Sequence, residues 1–113
     1  MGEAVEITAA DGFTFSAYHA APTDVRRAGL VILHALWGVT PHIRELSDSY
    51  AAARYEVLAP SLFDRFERGF AEANIAPEQQ PKRHEWARTV GWGSGCIPDI
   101  QSTIDALADK GPV

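Results

Sequence analysis

Residues 30–46, LVILHALWGVTPHIREL, decide how the rest of the chain is read. Leu30, Val31, Ile32 and Leu33 form a short apolar run with two β-branched members, the pattern of a strand buried on both faces of a sheet. After the turn residues Trp37, Gly38 and Val39, Thr40 offers a capping hydroxyl. Pro41 follows at the first helical position, where a missing N–H costs nothing. A strand therefore feeds a helix through a short loop. That is the opening of a βαβ unit, and in open α/β sheets ligands gather beyond the carboxyl ends of the strands, where residues 34–38 fall.

Upstream, residues 4–8 and 13–18 are β-prone runs separated by the turn signal Asp11-Gly12, which predicts an antiparallel hairpin. Residues 20–28, with Pro22, Asp24 and two arginines, have loop composition. Downstream, Ile43, Leu46, Tyr50 and Ala51 share one helical face, and Arg44 and Asp48 stand at the spacing of an exposed ion pair. Residues 55–58 form the next strand, ended by Ala59-Pro60 and parallel to the first. Residues 63–81 read as a surface excursion. Residues 84–90 are helical, residues 91–95 break the helix, and residues 97–107 resume it with Ile100, Ile104 and Leu107 on one side.

With 113 residues, 46% hydrophobic and 22% charged, the chain suits one small globular domain, 1–113. A formal charge of −5 makes it a poor ligand for nucleic acid or anionic lipid, so neither is an expected partner, and no apolar run reaches the ~20 residues of a membrane span. The single cysteine, Cys96, makes no internal disulfide, and the first residues carry no basic and apolar leader pattern, so the cytoplasm is the expected setting.

Residues 33–63, LHALWGVTPHIRELSDSYAAARYEVLAPSLF, resemble the dienelactone hydrolase family of α/β-hydrolases. Its members carry a strand, an [HQ]-E-[IWN]-[FWR]-G-[VL]-N-like loop, a helix opening on H-I-R-E/D, and then G-Y-x-V-x-A-P-D-L-[FY]. The resemblance takes in about the first half of such a domain. It implies an α/β chain with a partial α/β-hydrolase fold: an N-terminal antiparallel hairpin, then a parallel βαβ unit, without the nucleophile strand and later elements. The chain is thus expected to be the N-terminal portion of a single domain, a fragment.

The resemblance also implies chemistry. The complete enzyme would attack a small ester or lactone with Cys or Ser, aided by His and Asp. Here the backbone N–H of Leu36 would be an oxyanion-hole donor, with Trp37, Arg83 and His34 as substrate contacts. Arg83 would grip a substrate carboxylate, and Arg65 is a lesser candidate. Two positions depart from the pattern: Ala35 stands where Glu is usual, which removes a group able to influence a thiolate, and Ser61 stands where Asp is common. Cys96 does not fit a nucleophile elbow, since Ser94 precedes it and Pro98 follows it at the positions that need small residues, and no apolar strand leads into it. Ser94 fails likewise, with Trp92 and Cys96 at those positions. His19, His34, His42 and His84 lack metal-ligand spacing, and no nucleotide loop occurs, so no metal and no cofactor are expected. Trp37, Trp86 and Trp92 suit an apolar pocket or a core equally. The chain alone is expected to be inactive. The alternative is a non-catalytic half-domain that self-associates, or docks onto a complementary chain, through an exposed sheet edge.

Overall fold

This computed structural model describes residues 2–70, 77–90 and 96–113. The expected helix break at 91–95, with Trp92 and Ser94, lies outside them. The chain begins with the hairpin: β1 (Glu3–Thr8) runs antiparallel to β2 (Thr14–Ala20), with Glu3 opposite His19 and Thr8 opposite Thr14. The reversal needs a left-handed residue, which Gly12 supplies at φ 92°, while the Asp11 carboxylate accepts the Phe13 N–H at 3.1 Å.

The apolar run at 30–33 is displaced from its expected place. β3 is Ala28–Val31, two residues earlier, and it lies at the edge of a sheet ordered β1-β2-β4-β3. It pairs in parallel with β4 (Tyr55–Pro60), from Ala28 opposite Tyr55 to Val31 opposite Leu58. The strand buried on both faces is instead β4, whose Glu56 to Pro60 are all buried. A neighbour on each side and helices on both faces leave β4 no solvent. Residues of β3 other than Gly29 are half-buried, and Leu33, past the strand, is exposed.

α1 (Pro41–Ala52) starts as its sequence dictates, with Thr40 Oγ1 accepting the Ile43 N–H at 3.3 Å and Pro41 in the first turn. Its buried residues are Ser47 and Ala51, in line with half-buried Ile43, while Tyr50 is exposed against Tyr55. Ser47 is tolerated there because its hydroxyl donates to the Ile43 carbonyl at 2.8 Å. Asp48 accepts from the Tyr18 hydroxyl (2.8 Å), and Arg44 donates to the Val39 carbonyl (2.7 Å), which replaces the surface pair expected of them.

After a short 3₁₀ turn at Pro77–Gln79, α2 (Gln80–Val90) begins four residues before the predicted helix, because Pro81 sits in its first turn where no N–H is required. α3 (Ile97–Ala108) buries Asp99, Thr103 and Leu107 rather than Ile100 and Ile104, which are half-buried. The two polar members are satisfied, Thr103 by the Asp99 carbonyl (2.7 Å) and Asp99 by Arg65. Alternation along the strands divides the core between two faces. Phe15, Ala17 and Leu58 meet Leu107 of α3 on one face; Tyr18, Ala20, Val57 and Ala59 meet Ala51 of α1 on the other.

A carboxylate lies on the α3 face. Glu56 is 4% exposed, and its oxygens meet His19 Nε2 (2.9 Å), Arg26 Nε (2.8 Å) and Lys110 Nζ (3.0 Å). Arg26 also donates to the carbonyls of Leu107 (3.1 Å) and Pro112 (2.9 Å), so the cluster fastens the end of α3 to the sheet. Burial alone would raise the Glu56 pKa, but hydrogen bonds from His19, Lys110 and Arg26 outweigh it and hold the value at about 2, below the ordinary 4.5. A carboxyl with a depressed folded pKa stabilises fully above its unfolded value and loses that contribution as pH falls through the folded one. Stability should therefore decline between pH 4.5 and about 2 in wild type. Glu56→Gln should flatten that decline and cost about 2–4 kcal/mol at neutral pH, read by urea unfolding across pH.

Candidate functional site

Beyond β3 the Ile32 N–H still donates to the Leu58 carbonyl (3.1 Å), and the chain then leaves the sheet. Residues 35–38 form a turn closed by the Gly38 N–H on the Ala35 carbonyl (3.1 Å), with Gly38 at φ 82°, a conformation glycine adopts without strain. Leu36 and Trp37, at the middle of this turn, are half-buried, and Ala35 is exposed. Among the described residues no acceptor faces the Leu36 N–H.

His34 lies beneath the turn, 8% exposed. The Leu62 N–H donates to its Nε2 at 3.0 Å, so that nitrogen carries a lone pair and the ring proton sits on Nδ1, which donates to the Ala35 carbonyl at 2.6 Å. Burial pushes the imidazole pKa below 6.5, against the hydrogen bond to Ala35 that favours its protonated form. The Phe63 ring meets it edge-on at 5.0 Å. Of the residues expected at the site, His34 thus has both ring nitrogens committed to backbone.

The reading of 63–81 as a surface excursion holds for the exposed residues 66–69, 78, 80 and 81 and is corrected only at its start, while residues 71–76 lie outside the described residues. Ser61, Leu62, Phe63 and Asp64 are buried, and the chain reaches the surface only after them. Asp64 accounts for this: its carboxylate accepts the Ser16 N–H (2.7 Å), the Ser61 hydroxyl (2.8 Å) and the Gly69 N–H (3.1 Å), closing the loop on itself and on β2. Asp64 was not singled out from the sequence, since an aspartate three residues after Ser61 carries no spacing signal of its own. Ser61 is part of the same bond set, a structural use of that position.

α2 brings Arg83 to the turn. Its Nη1 stands 3.5 Å from the Leu36 carbonyl, and its guanidinium lies 5.4 Å over the Trp86 ring. Trp86 is buried against Phe63 (5.5 Å) and stacks on Phe66 (5.6 Å). Burial lowers the Arg83 pKa, opposed by the charge of Glu67, and Nε is buried without a hydrogen-bond partner among the described residues. Arg65 differs. It grips Asp99 through Nε (2.9 Å) and Nη2 (2.8 Å), meets Asp11 through Nη1 (2.9 Å), and covers Phe13 at 4.5 Å. With all three nitrogens engaged it is a strut between the loop after β4 and α3, and its suggested role as a substrate contact is corrected. Asp99, then Asp11, raises its pKa further.

Cys96 caps the start of α3 at 3% exposure, and burial pushes its thiol up, with Asp99 adding to the effect. That is the setting of an inert thiol. His19 is taken up by Glu56, while His42 and His84 are exposed on separate helices. Among the described residues no three His, Cys, Asp or Glu side chains gather to hold a metal ion, and no helix is long and apolar enough to cross a membrane.

A mixed sheet with helices on both faces, and a tight turn beyond the carboxyl end of β3, is a partial α/β-hydrolase fold. The model of the dienelactone hydrolase family matches residues 15–111, and the chain belongs to that family. It is 33% identical over 108 residues to the "Putative carboxymethylenebutenolidase" of Azospirillum brasilense, a match over 95% of this chain and 44% of that protein. It is 31% identical over 81 residues to carboxymethylenebutenolidase 1 of Cupriavidus pinatubonensis, over 71% of this chain and 35% of that protein. The crystal structure of a "Putative Dienelactone Hydrolase" from Klebsiella pneumoniae superposes with a TM-score of 0.71 at 22% identity, over 100% of this chain and 46% of that one, a likeness of fold. The chain thus spans less than half the length of these relatives.

The burial of Cys96 has a measurable consequence. In the folded chain its alkylation by iodoacetamide should be slower by about 100-fold or more than in urea, because reaction waits on local opening. A rate equal to that of the unfolded chain would show the thiol to be reactive.

Proposed function

We propose that these residues form the N-terminal part of a dienelactone hydrolase-like enzyme that hydrolyses a small ester or lactone bearing a carboxylate. The observation that carries this is Arg83: a guanidinium drawn partly out of water, with Nε unpartnered among the described residues, set against the Leu36 peptide. Burial that disfavours the cation is relieved by an incoming carboxylate, to which the guanidinium donates bidentately. The Leu36 N–H then donates to the oxyanion formed when a Cys or Ser nucleophile, aided by His and Asp outside these 113 residues, attacks the substrate carbonyl. The bond to the leaving oxygen breaks, an acyl-enzyme forms, and water releases the acid. Trp37 contributes pocket wall. A single buried cysteine suits a reducing compartment, so the cytoplasm is the proposed setting.

Alone, the chain should not turn over p-nitrophenyl acetate. In a polypeptide that adds the nucleophile, Asp and His, Leu36→Ala should stay within about threefold of wild type, because the donor is backbone, while Leu36→Pro, which lacks the N–H, should lose about 10²–10³ in kcat. Arg83→Ala should raise KM for the carboxylate substrate about tenfold or more and leave a neutral ester unaffected. Equal effects on both esters would remove Arg83 from substrate binding.

The position of β3 at the sheet edge favours a second reading, a half-domain that pairs with another chain. Sedimentation over a hundredfold range of concentration tests it: this reading expects dimers at the high end, and a monomer throughout argues against self-association.

A further inference from the structure

The direction of the Leu36 N–H is not set by Leu36. It belongs to the Ala35–Leu36 peptide, whose carbonyl is held from one side by His34 Nδ1 at 2.6 Å and from another by the Gly38 N–H at 3.1 Å. A trans peptide is planar, and no cis bond occurs among the described residues, so fixing that carbonyl aims the N–H the opposite way. The His34 ring is itself fixed, because Nε2 accepts the Leu62 N–H at 3.0 Å. One imidazole therefore bridges the loop after β4 to the peptide whose N–H is the proposed oxyanion donor.

We propose that His34 is a positioning residue, which holds the Leu36 N–H in place only as the neutral imidazole protonated on Nδ1. This rests on the reading of Leu36 as the oxyanion donor. The argument is one of donors and acceptors. A second proton can enter only at Nε2, where it meets the Leu62 N–H, and two donors then face each other at 3.0 Å with no acceptor between them. The ring must leave Leu62, and as it moves it loosens its hold on the Ala35 carbonyl. The chain answers through two loops at once, 34–38 and 61–64.

The groups facing the ring agree in part. Burial disfavours the imidazolium, and the hydrogen bond to Ala35 favours it; Arg83 from α2 disfavours it, and Asp64 from the loop after β4 favours it. The net shift is downward from 6.5, so the neutral clamp is fully formed above that pH and is lost as pH falls through the folded value.

The test is amide NMR of the 113-residue chain as pH is lowered from about 8 to about 5, with wild type, His34→Gln and His34→Phe compared. Glutamine keeps an acceptor and a donor without titrating; phenylalanine keeps the shape and has neither. In wild type the Leu36 and Leu62 amide resonances should move together with one midpoint below 6.5, while Ile7 on the α3 face of the sheet stays still. His34→Gln should hold both at their neutral-pH positions throughout, and His34→Phe should displace both at every pH. Leu36 and Leu62 resonances that titrate with different midpoints, a titration that persists in His34→Gln, or unshifted resonances in His34→Phe would each overturn the proposal. The readout needs no turnover. If the amides respond as stated but Leu36→Pro leaves hydrolysis intact, the clamp stands and the oxyanion assignment falls.

Discussion

Glu56 lies on the strand that the rest of the sheet surrounds, and a carboxylate in that position is tolerated only with donors on both oxygens. They come from three separate parts of the chain: His19 on β2, Arg26 before β3, and Lys110 after α3. Arg26 in turn reaches the carbonyls of Leu107 and Pro112. Slipping β4 by one residue would move Glu56 to the α1 face and strand all three donors, so the charge fixes register more strictly than the apolar residues around it. Arg65 performs a similar service lower in the molecule, joining the loop after β4 to Asp99 of α3 and to Asp11 in the first turn.

Much of the architecture was legible because it follows from local rules. Asp11-Gly12 marked the hairpin, Thr40-Pro41 marked the start of α1, and the apolar runs marked a parallel pair, all of which the structure contains. The errors share a cause. Which face of a helix is buried depends on what lies opposite, and α3 turns Asp99 and Thr103 inward because Arg65 and a helix carbonyl wait for them. The run at 30–33 looked like a doubly buried strand, yet strand position within a sheet is a tertiary property, and it was β4 that took the centre. The start of the loop after β4, Phe63 and Asp64, was misread for the same reason, since Asp64 gathers donors from Ser16, Ser61 and Gly69, the first of them 48 residues away.

The candidate site was legible in outline. Residues 34–38 fall beyond a parallel strand, and the structure sets Arg83 against Leu36. The sequence does not reveal the support beneath. Nothing in the spacing of His34 and Leu62 predicts that a ring nitrogen and a backbone N–H 28 residues apart will meet. The two loops are knitted by backbone groups, for which a sequence carries no signature, and the aromatic set of Phe63, Phe66 and Trp86 then packs α2 over the join.

The bond from the Gly29 N–H to the Pro112 carbonyl, 2.8 Å long, lies beside the contacts that Arg26 and Lys110 make at the end of α3. During synthesis β2, β3 and β4 emerge from the ribosome long before residues 107–112 do. Until those residues arrive, Arg26 lacks two of its acceptors and Glu56 one of its donors. The sheet can collapse early, but the charge at its centre keeps its water until residues 107–112 are made. Closure of the charge cluster thus comes late in the synthesis of these 113 residues, and a ribosome stalled before Lys110 would hold a hydrated and still exchangeable sheet.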